Sequence, residues 1–173
     1  MSVATPWQDR LFGALKRGGI AQVGYVPDAG HARLIERCRA DPDIRDVALT
    51  TEEEGVALAA GAWLGGERCA LLMQSSGVGN CINMLSLARS CRFPLLMAVT
   101  MRGEWQEFNP WQVPMGVNVE PMLELCEAEV YRAREADEVE GLAERALQQA
   151  FGDERIVALL LSQRLIGKKV WSK

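Results

Sequence analysis

Apolar and polar positions follow two rhythms along this chain, and the rhythms take turns from one end to the other. Short aliphatic, β-branched runs occur at Gln22 to Val26, Asp46 to Leu49, Cys69 to Met73, Pro94 to Thr100, Val130 to Ala133 and Ile156 to Leu161, and they read as strands. Between them, apolar residues recur at helical spacing, which predicts helices near 6–17, 30–40, 52–64, 80–90, 118–127 and 136–150. Alternation of this kind implies right-handed βαβ crossovers. The expected fold is therefore α/β, a three-layer α/β/α arrangement around a mostly parallel six-stranded sheet covered on both faces. No repeat, low-complexity tract or Pro/Ser-rich linker interrupts the pattern, so 1–173 reads as one domain.

One stretch breaks the rhythm. Met101 to Asn118, MRGEWQEFNPWQVPMGVN, holds two prolines and two glycines without a clear period and reads as a long loop after the fourth strand. Long ordered loops in compact domains are usually functional or interfacial. In a parallel sheet, ligands bind beyond the carboxyl ends of the strands, so the segments after Val26, Leu49, Met73 and Thr100 share one rim. That rim is where chemistry is expected.

The composition narrows the classes of function. The 173 residues carry 49% hydrophobic and 24% charged side chains, which is ordinary for a folded chain of one domain. A formal charge of −4 leaves no basic surplus for a nucleic acid. Met1 to Trp7 lacks the basic and apolar regions of a secretory signal, and the apolar stretch Gly55 to Gly66 is too short and glycine-broken to cross a bilayer. A cytoplasmic protein without a membrane partner is expected. The five cysteines, Cys38, Cys69, Cys81, Cys91 and Cys126, form no C-x-x-C pair and read as small buried hydrophobes. His31 is the only histidine, and it reads as a surface or cap residue. A histidine-built metal centre is thereby excluded, and no metal ligand is assigned.

Several rim residues have two readings. Thr51 and Glu54 match a capping box, while Glu52 and Glu53 either complement the helix dipole or serve a site. Gly55 to Trp63 is apolar nearly all round, which predicts a buried helix with Glu52 at its head, facing an interior cleft. Gln74 to Asn80, QSSGVGN, is a glycine-rich strand-to-helix turn. It fits neither phosphate-binding fingerprint, because Ile82 replaces the third glycine of one and the other's G-K-[ST] is missing. The turn either lets backbone approach a flat ligand or is a plain connection. Asp28, in YVPDAGH, is a helix cap or a rim residue. Arg102, among Trp105, Phe108 and Trp111, suits an anionic head group, whereas tryptophans in a loop suit a subunit interface.

Taken together, TEEEGVALAAGAWL, LLMQSSGVGNCIN and PLLMAVTMRGEWQEFNPWQVPMG resemble the pyrimidine-binding (PYR) domain of thiamine diphosphate enzymes. Within that superfamily the chain is most similar to the sulfopyruvate decarboxylase α subunit and the matching half of phosphonopyruvate decarboxylase. The resemblance spans almost the whole chain, and its three motifs occur in register. It implies that Glu52 hydrogen-bonds N1′ of the cofactor's aminopyrimidine and thereby promotes loss of the C2 proton. It also implies that Gly77, Gly79, Asn80 and Pro27 line the cofactor site, and that Asp28 faces the substrate. Arg102 or Gln112 would meet the substrate's anionic group.

Departures from the family pattern refine the expectation. The G-D-G…N motif that holds Mg²⁺ and the diphosphate is not found, and its nearest match is Gly152-Asp153-Glu154. The resemblance then implies a separate β-type subunit that carries the diphosphate-binding (PP) domain and the Mg²⁺, with the site at the interface of a homodimer or hetero-oligomer. Thr100-Met101-Arg102 stands where decarboxylase relatives often place a histidine, and Ala29 where they commonly have serine. The leading expectation is an α-type subunit of a decarboxylase acting on a sulfopyruvate- or phosphonopyruvate-like acid. The alternatives are a non-catalytic binding or regulatory module, or a subunit of another thiamine-dependent lyase or carboligase.

Overall fold

The computed structural model describes residues 5–167; Met1 to Ala4 and the tail Lys168 to Lys173 lie outside the described residues. In chain order the elements are α1 (Trp7–Arg17), β1 (Ile20–Tyr25), α2 (Ala32–Ala40), β2 (Arg45–Ala48), α3 (Glu52–Leu64), β3 (Arg68–Gln74), α4 (Ser75–Cys91) and β4 (Leu95–Thr100). A 3₁₀ turn (Pro110–Gln112) follows, then α5 (Val113–Leu125), β5 (Glu129–Ala133), α6 (Glu138–Gly152), β6 (Ile156–Leu161) and α7 (Gln163–Ile166). The strands form one six-stranded sheet in the order β2-β1-β3-β4-β6-β5, with every pairing parallel. The expected three-layer α/β/α fold is the one observed.

Strand composition explains this layering. All residues of β4 (LLMAVT) and β6 (IVALLL) are buried, as they must be in strands covered on both faces. Their side chains divide by the two-residue period of a strand. Leu72, Leu96 and Leu159 pack with Leu11 and Leu15 of α1, Leu34 of α2 and Leu147 of α6. Leu71, Met97 and Leu160 pack on the other face with Val56 of α3, Leu85 of α4 and Leu123 of α5. Each fully buried leucine contributes about 1.5–3 kcal/mol.

Connections leave the carboxyl rim in opposite directions at two places. β1 leads to α2 on one face and β3 leads to α4 on the other, which opens a crevice between these neighbouring strands. β4 leads to α5 and β5 leads to α6, again on opposite faces, with the end of β6 between them. Gly152-Asp153-Glu154 precedes β6 and lies at the opposite, amino end of the sheet.

Four expectations change. Helix α4 starts at Ser75, so the glycine-rich segment is the first two helical turns and not a loop. Glycine in a helix costs about 1 kcal/mol against alanine, and close packing on α3 and α5 offsets that cost. The long loop ends at Asn109, and α5 begins at Val113 with Pro114 in its first turn, where a missing N–H is harmless. Gly116 is there for contact: a Cβ on it would lie 2.0 Å from the Arg102 carbonyl oxygen. Helix α3 is not buried all round, since Ala57, Gly61 and Leu64 are exposed, Leu64 at 87%. The capping box is also displaced: Glu54 accepts the Thr50 backbone N–H at 2.9 Å, while the Thr51 hydroxyl donates to Glu53 at 2.6 Å.

Cys38, Cys69 and Cys81 are buried as expected, but Cys91 is exposed and Cys126 half-buried. Burial pushes the thiols of Cys38, Cys69 and Cys81 up to about 12, so they stay protonated. Among the described residues no helix is long and apolar enough to cross a membrane.

Candidate functional site

Glu52 is the first residue of α3, which leaves the short edge strand β2 at the carboxyl rim. Its side chain lies directly over Gly77 in the first turn of α4. A Cβ at Gly77 would come within 2.5 Å of Glu52 Oε1 and 2.6 Å of Cδ and Cγ, so only glycine leaves the carboxylate this seat. Three residues on, and so on the same helix face, Asn80 Nδ2 donates to Glu52 Oε2 at 2.8 Å. The carboxylate is half-buried, with one oxygen engaged by an amide and an unsubstituted backbone beneath it. Gly79 points to the other side of α4, where Met115 Sδ of α5 would be 3.2 Å from an added Cβ. Gly77, Asn80 and Glu52 are therefore brought together, and Gly79 serves the α4–α5 contact.

A second polar group joins the ends of β1, β3 and β4. Asp28 follows β1 and accepts from Thr100 Oγ1 at 2.7 Å and from Gln74 Nε2 at 2.6 Å. Gln74 in turn accepts from Gln112 Nε2 at 3.2 Å. Asp28 is thus a rim residue and not the cap of α2. The carboxylate takes the Gln74 amino group, so the Gln74 carbonyl faces Gln112 and orients the Gln112 amino group towards itself. The Gln112 carbonyl oxygen is left buried without a hydrogen-bond partner. Pro27 is exposed and, with Asp28, lines a cavity of about 410 Å³ that reaches to Glu36 and Arg39 of α2. Gln74 and Thr100 were missed in the sequence. Their signal was a polar residue closing an otherwise apolar strand at its carboxyl end.

Arg102 is not free to meet an anion. Its guanidinium makes a two-pronged ion pair with Glu107 (2.6 and 2.8 Å), and the residue is 8% exposed. Its backbone N–H donates to Ser75 Oγ at 3.1 Å, tying the loop to the start of α4. Glu107 also accepts the backbone N–H groups of Gly103 and Asn109 and the side-chain amide of Gln163. Burial works to raise the Glu107 carboxyl, but Arg102 and these N–H donors outweigh it and hold it at about 2. The 102–109 loop is wound around this carboxylate. Sequence reasoning singled out Arg102 and missed its partner.

His31, expected at the surface, is fully buried against the ring of Trp7. Its Nε2 donates to the Ala98 carbonyl oxygen at 3.1 Å, Nδ1 has no partner, and burial pushes its pKa down. It stays neutral. Among the described residues no group of three or more His, Cys, Asp or Glu side chains is placed to hold a metal ion.

Large apolar side chains are exposed along the helices flanking Glu52. They include Leu64 at the end of α3, Leu87 on α4, and Val117 and Leu125 on α5, with Trp111 on the preceding turn. Exposed apolar side chains of this size are what an interaction face would present.

No family model matches the chain. It is 35% identical over 151 residues to the sulfopyruvate decarboxylase subunit alpha of Methanocaldococcus jannaschii, covering 87% of this chain and 89% of that protein. It is 38% identical over 113 residues to the phosphonopyruvate decarboxylase of Streptomyces viridochromogenes, covering 64% of this chain but only 28% of that protein. Among solved structures, the benzoylformate decarboxylase of Polynucleobacter necessarius superposes with a TM-score of 0.76 at 17% identity. That match covers 98% of this chain and 32% of the other. At that identity it establishes the fold alone.

Proposed function

Because the chain belongs to the family of sulfopyruvate decarboxylase α subunits, we propose that it is an α-type subunit of a cytoplasmic, thiamine diphosphate-dependent 2-oxo acid decarboxylase. Its substrate in this reading is an anionic 3-substituted pyruvate of the sulfopyruvate or phosphonopyruvate kind. The observation that carries the reading is the seat of Glu52, a carboxylate held at a helix head by Asn80 over a glycine no side chain occupies. The relatives support an enzyme over a binding module.

The residues fit the cofactor. When bound, thiamine diphosphate supplies the electron sink for loss of CO₂. Glu52 presents a half-buried carboxylate to the aminopyrimidine N1′ and manages one proton there, Asn80 fixes its direction, and Gly77 keeps the approach clear. Asp28, oriented by Thr100 and Gln74, faces the substrate side of the rim. Gln112, its amide polarity set through Gln74, takes the anion-contacting role more readily than the paired Arg102. Pro27, next to Asp28 in the chain, lines the adjoining cavity on the α2 side of the rim. The exposed apolar faces of α3, α4 and α5 suit a partner subunit of PP type, which would bring the Mg²⁺ and the diphosphate site.

The test is co-expression with PP-type subunits, addition of thiamine diphosphate and Mg²⁺, and measurement of CO₂ released from sulfopyruvate and phosphonopyruvate. Release from either supports the reading. A stable complex that binds the cofactor yet turns over neither acid refutes the substrate class, and failure to associate with any PP-type subunit favours the binding module.

A further inference from the structure

The second divergence at the carboxyl rim, above the end of β6, opens on a cavity of about 500 Å³. It lies apart from Glu52, Asp28 and the residues that orient them, and its size is that of a small-molecule site. Three arginines line it. Arg132 is spent, because its guanidinium is bound by Glu104 and by Glu120, the latter at 2.6 and 3.1 Å. Arg134 and Arg164, both exposed, are different: among the described residues neither guanidinium has a carboxylate within 4 Å, although Glu138, which accepts the Arg134 backbone N–H at 2.7 Å, faces the Arg134 charge from outside the cavity lining. Arg164 Cζ lies over the Trp105 ring, 5.7 Å from its centroid, within reach of a cation–π attraction.

Ser162, at the end of β6, adds a third donor. The residue is only 8% exposed, and its hydroxyl makes no hydrogen bond among the described residues although it lines the cavity. The other carboxylate at the cavity, Glu135, is exposed and screened by solvent. The glutamates and arginines lining the cavity balance in number, so attraction comes from local geometry and not from a long-range field. Two guanidinium groups without an ion pair and a free hydroxyl on one lining supply donors enough for the three oxygens of a sulfonate or phosphate, or the two of a carboxylate.

We propose that the crevice above β6 is a second binding site, separate from the one at Glu52, for a small molecule carrying a sulfonate, phosphate or carboxylate group. Such a ligand would bridge the β4 loop, the end of β5 and the end of β6, so it would stiffen the loop wound around Glu107. The inference does not rest on the decarboxylase reading.

The test uses the full chain, ¹⁵N-labelled, titrated separately with inorganic sulfate, inorganic phosphate, sulfoacetate and pyruvate. The readout is the Trp105 indole N–H, assigned with Trp105→Phe. A saturable shift with at least one anion, and a Kd of about 1 mM or tighter, is expected. The anion that binds most tightly identifies the head group. Arg134→Gln, which leaves the Trp105 stack in place, should weaken binding about tenfold or more, and Glu52→Gln should leave it unchanged. No saturable shift with any of the four anions overturns the proposal. An undiminished shift in Arg134→Gln with unchanged thermal stability does so as well.

Discussion

Replacing Gly77 with alanine separates folding from function in opposite directions. The new methyl would sit 2.5–2.6 Å from Glu52 Oε1, Cδ and Cγ, where carbon contacts need about 3.5 Å or more, so the carboxylate must move by about 1 Å. It is the far end of a flexible side chain, so the backbone need not yield. Loss of the Asn80–Glu52 hydrogen bond costs about 1 kcal/mol at this half-exposed position. Alanine in place of glycine inside α4 returns about 0.5–1 kcal/mol. Stability should therefore stay within about 1 kcal/mol of the parent, measured by urea denaturation. Displacing an acid–base group by about 1 Å costs on the order of a hundredfold in kcat. The matched control is Gly79→Ala, which gains the same helix propensity but meets only the mobile Met115 side chain at 3.2 Å. CO₂ release by the two variants, each assembled with a PP-type subunit, decides the matter. If Gly77→Ala turns over like Gly79→Ala, the seat of Glu52 has no part in the chemistry.

Glu52→Gln should fold and assemble normally while losing at least about a hundredfold in kcat, read as CO₂ release. Glu107 gives a pH prediction: its folded pKa of about 2 lies below the ordinary 4.5, so its stabilisation is full above about pH 4.5 and is lost as pH falls through about 2. That drop corresponds to about 3 kcal/mol; Glu107→Gln should forfeit it at neutral pH and flatten the acid limb of a stability–pH curve from denaturant titrations. Leu64→Asp combined with Leu125→Asp should leave the fold intact, since both side chains are more than four-fifths exposed, yet weaken association in sedimentation with the PP-type subunit. Undisturbed association would clear that face of a role.

The legible parts of the molecule were those written in periodicity. β6 at Ile156–Leu161 and α3 at Glu52–Leu64 have the bounds their patterns predicted, because a wholly apolar run, and an acidic first turn leading into an apolar stretch, leave few alternatives. Where glycine and proline supplied the signal, the prediction failed. Gly77 and Gly116 read as loop residues but are helical residues kept small by a neighbour, Glu52 in one case and the Arg102 backbone in the other. Propensity counts the local cost of such a glycine and cannot see the contact that requires it. The site divided the same way. Glu52 was visible from its position, whereas Gln74 and Thr100 act through a partner distant in sequence that only the folded sheet brings near, and Glu107 gathers Arg102, Gly103 and Asn109 only because the loop is wound around it.

The exposed flank of α3 has a kinetic consequence. Glu52 stands at one end of this helix and Leu64 at the other, about 18 Å apart along a single rigid rod, so on the proposed reading docking and catalysis would share one element. An enzyme built this way loses specific activity on dilution as its subunits part. If the proposed partner subunit supplies the other half, output in the cell would follow the scarcer of the two chains.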